Sequence, residues 1–78
     1  DVVPVGDIKA WTVQPFGGDV KHGYLYGRGA EDMKAALACM VAATHRFLHS
    51  TENFNGSIGF IITGDEEGFG VNGTRKMV

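Results

Sequence analysis

Hydrophobic positions recur at helical spacing through one long stretch of the chain. Met33, Leu37, Met40, Val41, Phe47 and Leu48 fall on one face of a helix running from about residue 32 to 49. Thr44 is the one polar residue on that stripe, and its hydroxyl can bond back to the Met40 carbonyl without breaking the pattern. A second signal is the continuous apolar run from Ser57 to Thr63, which reads as a buried strand. Asp1 to Val5 reads as the tail of another strand, with Pro4 confining it to a short stretch or an edge. Asp19 to His22 and Tyr24 to Tyr26 suit a short hairpin across His22-Gly23. Between these, residues 6–18 form a loop with Gly6, Pro15, Gly17 and Gly18, anchored by Trp11 and Phe16. Asn53, Asn55 and Gly56 mark the next loop, and Gly73 to Val78 reads as the opening turn of a helix with Thr74 as its cap. Strand, loop, hairpin, helix, strand and new helix is the order of an α/β sheet with crossover connections.

Composition narrows the class without changing that picture. A chain of 78 residues can make one small domain at most and buries little of its surface. With 44% hydrophobic and 21% charged residues and no low-complexity tract, disorder is not its expected resting state. A net charge of −2 offers no electrostatic footprint for nucleic acid or an anionic membrane. No run reaches the length of a transmembrane helix and no signal-peptide pattern occurs, so a reduced, cytoplasmic setting is the default. Cys39 stands alone, which excludes an internal disulfide; within an apolar helical stretch it reads as a small buried hydrophobe. The chain opens without Met on a strand already under way and stops one turn into a helix. It therefore reads as an internal piece of a larger protein, with no complete domain.

The chemistry concentrates where the second apolar run stops, at Gly64-Asp65-Glu66-Glu67-Gly68. Adjacent carboxylates repel one another, and they persist most easily beside a metal ion or a basic side chain. The crevice beyond the carboxyl ends of strands is also where open α/β sheets bind ligands. A solvated acidic turn remains the other reading. Asp32, just after Gly29-Ala30-Glu31, either complements the free donors and dipole of a helix start or projects as a functional acid toward the strand ends. It would lie near Glu66-Glu67 if segments 1–5 and 57–63 are neighbours. Asp1 could reach the same place, though taken alone it says nothing. His45 and His49 are spaced i, i+4, a separation that can bind zinc. Arg46 follows His45, however, so there is no His-Glu-x-x-His pattern, and both lie where the helix dipole favours positive charge. His22 reads as a turn residue. Gly27-Arg28-Gly29 is too short for a phosphate loop, and Arg28 could instead neutralise a nearby carboxylate.

Taken in order, these pieces carry a resemblance. Asp1-Val2-Val3-Pro4-Val5-Gly6, Trp11, Pro15-Phe16, Leu25-Tyr26-Gly27-Arg28-Gly29-Ala30-Glu31-Asp32-Met33-Lys34 and Thr63-Gly64-Asp65-Glu66-Glu67-Gly68 resemble the M20 family of co-catalytic zinc amidohydrolases and peptidases. The resemblance runs nearly the full 78 residues with sensible spacing. Asp1-Val2-Val3-Pro4, the Gly27–Lys34 block and Asn72-Gly73-Thr74 look most like a bacterial deacylase of amino-acid biosynthesis within that family. Other deacylases or carboxypeptidases of the family are the alternative.

The resemblance implies part of the catalytic, metal-binding domain of a zinc-peptidase-like α/β fold, a mixed sheet flanked by helices, spanning residues 1–78. It implies hydrolysis of an amide in a small-molecule substrate with two zinc ions per active site in the complete enzyme, cobalt being possible. Asp1 would steady a histidine ligand from behind, Asp32 would bridge the two metal ions, Glu66 would be the general base, and Glu67 would bind one metal. Two divalent ions roughly 3.5–4 Å apart are well held by a bridging carboxylate. The base must stay off the metal, and consecutive side chains point different ways, so Glu66 and Glu67 can do separate jobs. The family's His two positions before Asp1, a further acidic ligand and a later His are not in this chain. Neither is the smaller domain through which the complete protein is expected to form a homodimer. With Asp32 and Glu67 alone of five ligands, the chain by itself is expected to bind zinc weakly and to be inactive.

Overall fold

Alanine-rich sequence and apolar spacing make one regular helix, and most of the remaining chain is held by turns and single hydrogen bonds. The computed structural model describes residues 1–78. After a 3₁₀ turn at Ile8–Ala10, capped by the Asp7 carboxylate accepting Lys9 N–H at 2.9 Å, come two short strands. These are β1 (Val20–Lys21) and β2 (Tyr24–Leu25), paired antiparallel with Val20 opposite Leu25 and Lys21 opposite Tyr24. The turn between them has both central residues at positive φ, His22 at 53° and Gly23 at 82°. That is the geometry whose twist matches antiparallel strands, so the expected hairpin forms where His22-Gly23 put it.

The main helix, α1 (Ala36–Ser50), starts four residues later than its periodicity suggests. Residues 30–35 make wide helical turns, but Asp32 (φ −115°, ψ 101°) and Met33 (φ −135°, ψ 32°) leave helical space, and the peptide bond between them is cis. Regular propagation begins only at the Ala35-Ala36 pair, among the best helix formers. On α1, Leu37 and Met40 share a cleft with Ile61 and Ile62, while Ala43, Thr44 and Phe47 share another with Phe54 and Ile58. The face turned toward residues 58–62 is thus narrower than the expected stripe. Val41 and Leu48 lie off it, 61% and 50% exposed. No hydrogen bond from the Thr44 hydroxyl to Met40 forms. Phe47 and Phe54 meet edge to face at 5.2 Å, closing the C-terminal end of the helix onto the following loop.

Residues 57–63 are extended but pair with nothing, and so are residues 1–5. Within these residues the expectation of a buried strand at 57–63 is therefore corrected, and only part of the expected mixed sheet flanked by helices is present. The sheet within these residues is one two-stranded hairpin, because a ladder needs neighbouring strands that this stretch does not contain. The helix and hairpin remain consistent with α/β content. Only Pro15 and Gly73 are buried and no hydrophobic side chain is, so the molecule is a slab 51 × 37 × 12 Å without a core. Cys39, expected to be buried, is exposed for the same reason. No helix is long and apolar enough to cross a membrane.

Three interactions hold residues 1–5, one to the Trp11 loop and two to the segment just before the helical region. Arg28 donates from a terminal guanidinium nitrogen to the Val3 carbonyl at 3.3 Å, and Trp11 Nε1 donates to the Val5 carbonyl at 2.9 Å. Gly29, at φ 68°, lies so close to Val2 that a Cβ there would overlap the valine side chain. Arg28 therefore does not neutralise a carboxylate, as its charge suggested. Its guanidinium sits 5.2 Å from the Phe16 ring centroid, and Nε finds no partner. The short last helix, α2 (Thr74–Met77), has Gly73 rather than Thr74 at its N-cap. Thr74 instead shares a 2.9 Å hydrogen bond with the Thr63 hydroxyl.

Candidate active site

One open cleft of about 430 Å³ gathers acids from three separate parts of the chain. Asp1 comes from the N-terminal segment, Asp32 from the irregular turn before α1, and Glu66 and Glu67 from the loop after the 57–63 run. Met33, Leu37, Met40, Ile61 and Ile62 supply apolar wall, with Thr63 at the edge. All four acids singled out in the sequence thus meet in one place. The apolar wall was not among the expected site residues, although the α1 stripe and the 57–63 run already carried its signal.

The link between the first and last of these acids is direct. The Asp1 carboxylate accepts Glu66 N–H on one oxygen at 3.2 Å and Glu67 N–H on the other at 3.4 Å. A carboxylate spanning two successive backbone donors fixes the local backbone and draws the ends of segments 1–5 and 57–63 together without a strand ladder. Asp1 in this structure therefore steadies the Glu66-Glu67 backbone.

Asp65 takes a different direction from its two neighbours. It lies at φ 63°, in the left-handed region that aspartate tolerates better than most residues, and it does not line the cleft. Its Oδ2 accepts Val71 N–H at 3.0 Å and Asn72 N–H at 2.9 Å, while its carbonyl accepts Gly70 N–H at 3.0 Å. The Asn72 N–H does most to hold its carboxyl below the ordinary aspartate range. Partial desolvation opposes this, and the N–H groups of Val71, Gly70 and Phe69 reinforce it. The apparent triple acid is thus two cleft residues and one loop clasp. The spacing of Gly68, Gly70 and Gly73 behind an aspartate was the signal for that turn. Gly73, one of the two buried residues, faces the Gly64 carbonyl so closely that any Cβ would collide with it.

Four carboxylates with no lysine or arginine side chain among the lining residues suit a divalent cation with oxygen ligands. As placed, however, no three or more His, Cys, Asp or Glu side chains are grouped to enclose an ion. The chain therefore presents part of a ligand shell. The histidines lie elsewhere: His45 and His49 stack on the exposed end of α1 with ring centroids 4.0 Å apart, and His49 Nδ1 donates to the His45 carbonyl at 2.9 Å. Neither faces the cleft, and His22 occupies the hairpin turn as expected.

Comparison with known proteins matches the whole chain, residues 1–78, to the model of peptidase family M20/M25/M40. A protein of Parvibaculum lavamentivorans named succinyl-diaminopimelate desuccinylase is 62% identical over 78 residues, all of this chain and 19% of its own length. Proteins of the same name from Rhodospirillum centenum and Acinetobacter baylyi are 58% and 54% identical, again over all of this chain and 20% and 21% of theirs. The chain thus spans about a fifth of the length of the curated relatives it matches. No solved structure matches it.

Proposed function

The chain belongs to peptidase family M20/M25/M40, whose members are generally metal-dependent, and on that premise we propose that it is a section of the catalytic domain of a succinyl-diaminopimelate desuccinylase. The reaction is hydrolysis of N-succinyl-L,L-diaminopimelate to succinate and L,L-diaminopimelate, a step of lysine and diaminopimelate biosynthesis. The complete protein would be a soluble cytoplasmic homodimer with a separate dimerisation domain. In the complete catalytic domain the 57–63 run would take its place in a mixed sheet between neighbouring strands.

One observation carries the reading: Asp1, Asp32, Glu66 and Glu67, separated by up to 66 positions, line one cleft that has no basic side chain to balance them. Asp32 and Glu67 would hold metal, Asp32 shared between two ions, with the other ligands coming from outside these residues. Two divalent ions, zinc or cobalt, would supply Lewis acidity toward the scissile carbonyl and the attacking water. Glu66 takes the proton from that water on a carboxylate oxygen and returns it to the departing amine nitrogen. Asp1 keeps the backbone of Glu66 and Glu67 in register for those tasks through its two N–H bonds, and would also steady a histidine ligand.

The test uses the full-length protein supplied with zinc or cobalt. Hydrolysis of N-succinyl-L,L-diaminopimelate should exceed that of N-acetylornithine. Preference for the acetyl substrate would move the protein to the acetylornithine deacetylase branch, and activity on neither would remove the substrate assignment. Glu66→Gln should lower kcat by about 10²–10⁴-fold while metal content stays unchanged. Undiminished turnover in that variant would refute the role of Glu66.

A further inference from the structure

The carboxylate that the proposed chemistry does not use stands directly before the two that it does. Asp65 Oδ2 accepts both Val71 N–H and Asn72 N–H, at 3.0 and 2.9 Å, so one side chain closes the backbone from 65 to 72 into a loop. A second closure lies across the base of the same loop. There Thr63 and Thr74 share a 2.9 Å hydroxyl bond, and Gly73 abuts the Gly64 carbonyl. Glu66 and Glu67 are carried on this closed loop, and Asp1 takes their N–H groups from the other side. Asp65 is not itself a wall of the cleft, and its Oδ2 is already committed to two donors. It is therefore placed to act through its neighbours and not on a ligand.

Resting on the reading of Glu66 as general base, we propose that Asp65 is a positioning residue: by clasping Val71 and Asn72 it closes the loop and aims Glu66 and Glu67 into the cleft. The residue type follows from two demands at one position. The backbone must sit at φ 63°, which Asp, Asn and Gly tolerate, and the side chain must offer an oxygen to two N–H groups, which only Asp and Asn of those three can do. A loosened loop would let Glu66 drift, and a displacement of about 1 Å at a reacting group can cost about 100-fold in rate.

The experiment compares Asp65→Asn, Asp65→Gly and Glu66→Gln in the full-length protein, reading kcat, KM, thermal midpoint and amide exchange at Val71 and Asn72. Asp65→Gly keeps the backbone conformation and removes the acceptor. It should lower kcat about 100-fold with KM and the folded fraction nearly unchanged. Asp65→Asn keeps an acceptor oxygen and should restore most of kcat. Exchange at Val71 and Asn72 should be slow in the wild type and in Asp65→Asn and fast in Asp65→Gly. Wild-type kcat in Asp65→Gly, an Asp65→Asn variant no better than Asp65→Gly, or a loss that only tracks unfolding would each overturn the proposal. So would unprotected Val71 and Asn72 amides in the wild type, whatever the reaction. Glu66→Gln separates the two readings. If it abolishes turnover while Asp65→Gly does not, the positioning role alone falls; if it leaves turnover intact, the base assignment falls and takes the positioning role with it.

Discussion

Expressed as a free chain, residues 1–78 should show no cooperative unfolding. The structure exposes 6712 Å², where a folded monomer of this length exposes roughly 4,600 Å². Its Cα radius of gyration is 16.5 Å, against about 11.5 Å for a compact chain of 78 residues. The surplus surface is roughly 2,100 Å², of which a little over half would be apolar. At about 25 cal/mol per Å² the forgone burial is of order 30 kcal/mol. Total stability of a small domain is only about 5–15 kcal/mol, so the shortfall decides the outcome even if it is overestimated twofold. The cause is visible in Ile58, Ile61 and Ile62, which are 43%, 64% and 67% exposed on an extended segment that pairs with no strand. Urea titration followed by far-UV circular dichroism should give a sloping loss of α1 signal without a sigmoid. At higher concentration the unpaired 57–63 edge should promote aggregation. A sigmoidal transition with m near 1 kcal/mol per M or above would refute the reasoning, because such a slope requires buried surface that this structure does not have.

Other consequences concern the loop and the site. Zinc- or cobalt-dependent turnover should be undetectable in the same free chain, since it presents only part of a ligand shell; measurable hydrolysis would overturn that. Gly73→Ala in the full-length protein should cost about 1–3 kcal/mol, because its methyl group must push back the Gly64 carbonyl; an unchanged thermal midpoint would contradict the close approach. The lowered Asp65 pKa also fixes a sign. Its ionised form stabilises the fold above the unfolded-state value, and that contribution is lost as pH falls through the lower folded-state value. The stability of the full-length wild type relative to Asp65→Asn should therefore be greatest near neutrality and shrink through the acid range. A difference that stays constant with pH would rule this out.

Local features were legible in the sequence alone. Spacing and alanine content determined α1, because helix formation depends on neighbours three and four residues away. His22-Gly23 determined the hairpin, because both positions must adopt positive φ. The start of α1 was misplaced, since apolar spacing runs smoothly through Asp32 and Met33 while their backbone does not. Each acid of the site, taken alone, also suits a solvated turn or a helix start, and only their order along the chain resembles a family. Their meeting in one cleft belongs to tertiary structure, because Asp1 lies 65 positions from Glu66 and no local rule connects them. The division of Asp65-Glu66-Glu67 into one clasp and two cleft residues was likewise hidden, since it depends on where Val71 and Asn72 return to offer their N–H groups. Burial of 57–63 and Cys39 was wrongly expected for the same reason. An apolar pattern records a preference for burial, but burial itself requires the surfaces of other elements, and within these residues those surfaces do not come together.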